Sequence, residues 1–174
     1  MAVYSIIVPD SKILKGVSGL KSVVIVGCST CGSDSIAYDK DYPLGRIVVN
    51  KDSGKTIYSP IPIVEEANRI KNLIETKEIS VRVEMWPALC NLSYEKEKEL
   101  SEFFNRCNKA EGVITLCCAG GALVLKRSLL KTIKIVPAMK TVGIFQIYKV
   151  LDEKTGFVYM DKQRSTTIRF RNQR

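Results

Sequence analysis

The stretch VVIVGCSTCG, residues 23–32, runs an apolar segment directly into two cysteines with C-x-x-C spacing. A short, continuous apolar run is typical of a strand that is buried on both faces of a parallel sheet. The two thiols therefore lie where a strand ends and a turn begins. A lone C-x-x-C pair is a weak signal, so its meaning depends on whether the other strands also end in cysteines.

Predicted strands and helices alternate along the rest of the chain. The pattern of residues 59–77 places four apolar residues at helical spacing: Ile63, Ala67, Ile70 and Ile74. Further strands are predicted at residues 78–86, 112–118 and 132–139, and further helices at residues 11–22, 93–110 and 119–130. Ser93 is the expected N-cap of its helix. Such alternation indicates crossover units and a parallel sheet.

We therefore predict a single α/β domain over residues 1–174. Its core is expected to be a mainly parallel, Rossmann-like sheet with helices on both faces. Two β-rich arms around Asp-Ser-Gly predict an inserted β-hairpin at residues 46–58. Residues 142–174 are predicted to form a β-rich C-terminal extension, with one hairpin and a final strand at the edge of the sheet.

The amino-acid composition limits the kinds of catalytic and metal-binding site that the chain can form. The chain has 174 residues, six cysteines, no histidine and a formal net charge of +9. Without histidine, a Ser-His or Cys-His catalytic pair is excluded, and any metal site must be built mainly from thiolates. The start of the chain has no signal-peptide pattern and no apolar run is long enough to cross a membrane. We therefore expect a cytoplasmic protein, in which thiols stay reduced.

Most of the cysteines follow strands. Because the carboxyl ends of parallel strands share one edge, thiols after different strands should converge there. The cysteines in such positions are Cys28, Cys31, Cys90, Cys117 and Cys118. Cys107 lies late in a predicted helix, and we expect it only to pack. A thiolate cluster of this kind holds either zinc or an iron–sulfur cluster, and the residues alone do not separate the two.

The glycines beside these cysteines agree with a cluster. Both GCSTCG and CCAGGA would let the backbone approach a bulky group closely, although a plain strand-to-helix turn also uses glycine. Cys117 and Cys118 are adjacent, and successive strand residues point to opposite faces. Both can reach one metal only if the chain turns there.

Several motifs, in order, resemble the small cysteine-bearing subunit of methylenetetrahydrofolate reductases, a domain also found fused to such reductases. They are LKSVVIVGCSTCG, the isolated Cys90, GVITLCCAGG and IVPAMKT. The resemblance implies an α/β domain that carries an iron–sulfur cluster, most simply [4Fe–4S], and docks on a flavoprotein. Carried over by position, the implied ligands are Cys28, Cys31, Cys90 and Cys117, with Cys118 beside the cluster or as a substitute ligand.

The chain also departs from this family. Ser35 stands where the family often has a further cysteine, and the C-terminal segment has no cysteine. A second cluster is therefore not expected. Either Ser35 or Cys118 would tune the single cluster from beside it.

The leading function hypothesis is a non-catalytic, electron-transfer subunit of an oxidoreductase complex of one-carbon metabolism, working under anaerobic conditions. Its expected partner is a flavoprotein or another redox subunit. One alternative is an assembly protein with a structural zinc site.

A second alternative is nucleic-acid binding by the basic tail, which is less favoured because basic tails often only meet solvent or an acidic protein. Its cations are Lys162, Arg164, Arg169, Arg171 and Arg174. The acidic residues Asp34, Asp39 and Asp41 have no evident acid–base partner, and we interpret them as a solvated loop.

Overall fold

A computed structural model describes residues 2–49, 54–91 and 97–171. Eleven strands form three sheets in this part of the chain, and five helices pack around them. The helices are α1 Asp10–Val17, α2 Cys31–Lys40, α3 Pro62–Glu75, α4 Glu97–Cys107 and α5 Ala119–Ser128.

The first sheet, here called the parallel sheet, has the order β5-β2-β6-β7. Its strands are β2 Ser22–Cys28, β5 Ser80–Trp86, β6 Gly112–Leu116 and β7 Lys134–Pro137. Every pairing in it is parallel, as the alternation of strands and helices predicts. The central strand β2 carries the apolar run of the opening motif and is buried almost throughout.

Successive residues of β2 supply the cores on the two faces of the parallel sheet. Val23 and Ile25 belong to the core formed with α1, α2 and α3. Val24, Val26 and Cys28 belong to the core formed with α4 and α5. The period of two in a strand explains why one apolar run serves both faces.

The second sheet, here called the terminal sheet, has the order β1-β8-β11 and is antiparallel. Its strands are β1 Ala2–Ile7, β8 Met139–Gln146 and β11 Thr166–Arg169. Ala138 separates β7 from β8. Its N–H donates to Thr115 of the parallel sheet and its carbonyl accepts from Val8, which follows β1. One residue therefore joins the two sheets.

The third sheet, here called the hairpin sheet, has the order β4-β3-β10-β9 and is also antiparallel. Its strands are β3 Gly45–Val49, β4 Thr56–Pro60, β9 Lys149–Leu151 and β10 Phe157–Met160. The predicted hairpins at residues 46–58 and around Glu-Lys-Thr-Gly are both present. They pair with one another through β3 and β10.

The predicted fold class, a mainly parallel Rossmann-like sheet, is wrong. Among the residues that the structure describes, only four strands are parallel, and two of the three sheets are antiparallel. The C-terminal strands do not extend the edge of the parallel sheet. Instead β8 pairs with β1, which was not predicted, β11 pairs with β8, and β10 pairs with the inserted hairpin. Pairing partners so distant in sequence leave no local signal, because each strand shows only its own alternation.

Helix α3 was predicted from the spacing of its apolar residues, and the structure confirms it. The four apolar residues of α3 are fully buried, and proline begins this helix, as its missing N–H allows. Burial of each isoleucine side chain contributes about 1.5–3 kcal/mol to the free energy of unfolding. Helix α2 was not predicted, because its polar sequence has no apolar face. Ser93, the expected N-cap of α4, lies outside the described residues.

Within the described ranges, no helix is both long enough and apolar enough to cross a membrane.

Candidate thiol cluster at the edge of the parallel sheet

Two of the predicted site residues come from adjacent parallel strands. Cys28 is the last residue of β2 and pairs in register with Trp86 of β5. On the other side of β2, Gly27 pairs with Leu116, so Cys117 follows one position beyond, level with Cys28. Both cysteines are buried in the core beneath α4 and α5. The sheet therefore brings together thiols that lie 89 residues apart in the chain (117 − 28 = 89).

Two other cysteines lie where helices begin. Cys31 is the first residue of α2, and Cys118 is the N-cap of α5. The first N–H groups of a helix lack partners within the helix, and the helix dipole is positive at that end. Helix starts therefore favour a negatively charged group such as a thiolate. Both helix starts lie at the same edge of the parallel sheet.

Cys90 reaches this edge from the loop after β5. The loop turns at Ala88, whose φ is 49°, and the Asn91 N–H donates to the Ala88 carbonyl at 2.7 Å. Leu89 is fully buried and anchors the loop, while Cys90 itself is exposed. A side-chain carbon added at Gly120 would lie 3.4 Å from Cβ of Cys90 and 3.8 Å from Sγ of Cys118.

The thiols lie close enough together to affect one another's protonation. Burial is the largest cause that raises the pKa of Cys31, and neighbouring Cys118, Cys28 and Cys90 raise it further. Burial also raises the pKa of Cys90, followed by Cys118 and Cys28. The pKa of Cys117 is raised by burial, then by Cys28, Cys118 and Cys90. We call these five residues the thiol cluster.

The two adjacent cysteines differ in position. Among the thiols that raise the pKa of Cys31 and of Cys90, Cys118 has the largest effect in each case. Cys117 belongs, like Cys28, to the apolar core, and its Sγ is 3.1 Å from where a side chain on Gly121 would begin. Cys118 is thus the member of the pair beside the more accessible thiols.

The donor chemistry of the thiol cluster suits a thiophilic metal, since it consists of sulfur alone. As placed, however, no group of three or more Cys, Asp or Glu side chains among the described residues has the geometry of a metal site. Each cysteine has one rotatable side-chain bond. Metal binding would therefore require the thiols to turn toward a common centre.

Cys107 lies apart from the thiol cluster, as expected. It is fully buried near the end of α4. Burial raises the pKa of this thiol to about 12, with a further contribution from Glu84, and Arg106 and Arg82 lower it slightly. No other cysteine contributes to that shift, so Cys107 is a packing residue.

Thr30 is a site residue that sequence reasoning missed. Its hydroxyl lies 3.2 Å from Sγ of Cys28. The only signal for it was its place inside the C-x-x-C motif. The Ser35 hydroxyl, in contrast, hydrogen-bonds to backbone groups. It donates to the Cys31 carbonyl at 2.6 Å and accepts from the Ser5 N–H at 3.1 Å. It joins α2 to β1 rather than facing the cluster.

The predicted solvated loop around Asp34 is wrong. Asp34 lies in α2, is 7 % exposed, and pairs with Lys149 at 3.1 Å. Burial raises the pKa of this carboxyl, while Lys149 lowers it. Asp39 accepts a hydrogen bond from the Tyr4 hydroxyl. Asp39 and Asp41 are both exposed, and Asp41 pairs with Lys162 at 2.8 Å.

The basic tail is mostly engaged within the molecule. Besides Lys162, Arg164 pairs with Asp161 at 2.7 Å, and Arg169 stacks over the ring of Tyr4 at 5.5 Å. Arg171 is exposed, and Arg174 lies outside the described residues. Three of the five cations of the tail therefore have a partner within the molecule.

Comparison with protein-family models, with curated proteins and with solved structures finds no match to this chain. The resemblance to the reductase subunits therefore rests on the quoted motifs alone.

Proposed function

We propose that the thiol cluster binds one iron–sulfur cluster and that the protein is a non-catalytic, electron-transfer subunit of an oxidoreductase complex. The observation that carries the proposal is the convergence of five cysteines from the ends of three parallel strands. Thiol-only donors without histidine are typical ligands of a four-iron cluster. When bound, such a cluster supplies one-electron transfer.

The proposed ligands are Cys28, Cys31 and Cys90, together with one member of the adjacent pair. The motif resemblance favours Cys117 as the fourth ligand. The position of Cys118 next to Cys31 and Cys90 favours Cys118 instead. We expect Cys118 to ligate, because Sγ of Cys118 and Cβ of Cys90 lie 3.8 Å and 3.4 Å from the same point beside Gly120.

The other residues of the site would support this role. The helix starts at Cys31 and Cys118 stabilise the negative charge of thiolates. The Thr30 hydroxyl, 3.2 Å from Sγ of Cys28, can donate to its thiolate. Hydrogen bonds of this kind raise the reduction potential of a thiolate-bound centre.

The exposed position of Cys90 supports a protein partner. It places one edge of the site at the surface, where a redox protein can approach closely enough to exchange electrons. By the motif resemblance, we propose a flavoprotein of a methylenetetrahydrofolate-reductase-like complex. We also propose a cytoplasmic location, where the thiols stay reduced.

Anaerobic reconstitution with ferrous iron and sulfide tests the proposal. The reconstituted protein should show a thiolate-to-iron charge-transfer absorbance, bound iron and sulfide in equal amounts, and an electron paramagnetic resonance signal after reduction. Single Cys→Ser variants of the three common ligands should lose the chromophore, since each removes a thiolate. Stoichiometric zinc with no bound iron would replace the proposal with a structural zinc site.

The matched controls use cysteines of the same chain. Cys107→Ser should reconstitute like the parent, because Cys107 lies outside the thiol cluster. Comparison of Cys117→Ser with Cys118→Ser identifies the fourth ligand, with the greater loss of iron expected for Cys118→Ser. Reconstitution that survives loss of any one of Cys28, Cys31 and Cys90 would contradict the proposed site.

A further inference from the structure

A groove lies between α5 and the place where the chain passes from the parallel sheet to the terminal sheet. It encloses about 850 Å³. Strand β7 is the edge of the parallel sheet, and β8 leaves it at Ala138 to join the terminal sheet. Because the two strands diverge there, the ten-residue helix α5 does not cover the gap.

The lining of the groove is apolar with a cationic border. Its apolar side chains include Leu123, Leu129, Leu130, Ile133, Ile135 and Met139. Leu123 and Leu130 are 48 % and 58 % exposed, so both side chains are open to solvent. An open apolar pocket of this volume is in the range of small-molecule sites.

Three lysines complete the lining: Lys126 of α5, Lys131 of the following loop and Lys140 of β8. No acidic side chain among the described residues lines the groove. None of the three lysines forms an ion pair with a described residue. Their charge is therefore available to a ligand.

The cationic border continues around β7. A second depression of about 290 Å³ shares Val8, Ile135 and Pro137 with the groove and adds Lys12 and Lys134. An uncharged apolar ligand would gain nothing from this arrangement of lysines. A purely polar anion would gain nothing from the leucines and isoleucines.

We propose that this groove binds a small organic anion: a molecule with an apolar body, such as an acyl chain, and a carboxylate or phosphate end. The apolar body lies against the leucine and isoleucine side chains, and the anionic end pairs with Lys126, Lys131 and Lys140. The groove borders the thiol cluster at Ala119, which follows Cys118, but binding there uses no thiol and needs no metal.

Titration of the full chain with decanoate, decyl phosphate and neutral decanol, followed by calorimetry and amide NMR shifts, tests the proposal. At least one of the two anions should bind saturably with one-to-one stoichiometry, with shifts concentrated in α5, β7 and β8. Decanol should bind at least about tenfold more weakly, because it forms no ion pair with the lysines.

Two sets of variants distinguish binding in the groove from non-specific attraction to the net positive charge of the protein. The triple variant Lys126→Gln, Lys131→Gln, Lys140→Gln should weaken anion binding about tenfold or more. The control variant Lys15→Gln, Lys77→Gln, Lys109→Gln removes the same charge from exposed positions outside the groove and should bind like the parent. Leu123→Gln, at an exposed position that leaves the core intact, should also weaken binding.

Equal loss in both triple variants would mean non-specific attraction to a basic protein and would overturn the proposal. If neither anion binds saturably, the proposal is overturned as well, and an acidic protein segment becomes the favoured occupant of the groove. Neither result affects the iron reconstitution, so failure here is distinguishable from failure of the proposed function.

Discussion

The side-chain oxygen of Thr141 accepts a hydrogen bond of 2.9 Å from the backbone N–H of Ala119. Thr141 belongs to β8 of the terminal sheet, and Ala119 is the first residue of α5. The same hydroxyl lies 3.1 Å from that of Ser5 in β1. An antiparallel sheet therefore fixes the start of the helix that directly follows Cys118.

Replacing Thr141 with valine should loosen the start of α5. Valine keeps the branched shape but cannot accept the Ala119 hydrogen bond, so a helix-start N–H loses its partner. We expect thermal or urea unfolding to show a loss of about 1 kcal/mol. Thr141→Ser keeps the hydroxyl and should retain most of the stability. Equal losses in the two variants would attribute the effect to packing instead.

The neighbouring glycines Gly120 and Gly121 should respond oppositely to alanine. A side chain on Gly121 would begin 3.1 Å from both Sγ of Cys117 and Cβ of Leu89, which is too close without movement of the core. Gly120 has room, with its nearest contact at 3.4 Å. We expect Gly121→Ala to destabilise by about 1–3 kcal/mol and Gly120→Ala to stabilise the helix by about 0.5 kcal/mol.

Urea titration of the two alanine variants gives the comparison, and reconstitution with iron adds a second measurement. Gly121→Ala should also reduce iron loading, because it displaces the segment that carries the adjacent cysteines. Comparable stability of both variants would show that the core around Cys117 yields to an added methyl group.

Cys107 should be dispensable for metal binding. Cys107→Ala removes a buried sulfur from the core beneath α4 and should cost about 1–2 kcal/mol in the free energy of unfolding. Iron content after reconstitution should not change. Because its pKa is raised to about 12, the folded protein should also leave this thiol unmodified by a thiol reagent at neutral pH. Loss of iron on this substitution alone would contradict its place outside the cluster.

An ionic network around one buried carboxylate joins three helices on one face of the parallel sheet. The side chain of Glu66 in α3 is 1 % exposed and pairs with Lys40 of α2 at 2.5 Å and with Arg69 at 2.8 Å. Arg69 also binds Asp10 of α1 at 2.8 Å. Glu66→Gln leaves these cations without their buried partner and should destabilise by about 1–3 kcal/mol.

The same network predicts a dependence on pH. Burial raises the pKa of Glu66, but hydrogen bonds from Arg69 and Lys40 outweigh it, so the pKa is lowered overall. A lowered pKa contributes stability that is present above the ordinary glutamate pKa and is lost as the pH falls through the folded value. The difference in unfolding free energy between the parent and Glu66→Gln should therefore shrink in acid. A difference that stays constant would exclude this carboxylate as its source.

Sequence patterns predicted the elements whose signal is local. The apolar run of β2 indicated a buried strand, and the spacing of Ile63 and Ile70 indicated the buried face of α3. The gathering of cysteines at one edge followed from their places after parallel strands. Helix α2 escaped prediction because its buried residues, such as Ser35 and Asp34, are polar and are satisfied by contacts from other elements.

By itself, the sequence determined the presence of parallel strands joined by helices, the thiol-only donor chemistry and the separation of Cys107 from the other thiols. Only the tertiary structure decided that β1 pairs with β8 and β3 with β10, which replaces a single sheet by three. It also decided that Sγ of Cys118 and Cβ of Cys90 meet beside Gly120. Residue type and local period set the first group of features. The second group depends on which distant segments share hydrogen bonds, and strand alternation carries no information about the identity of the partner.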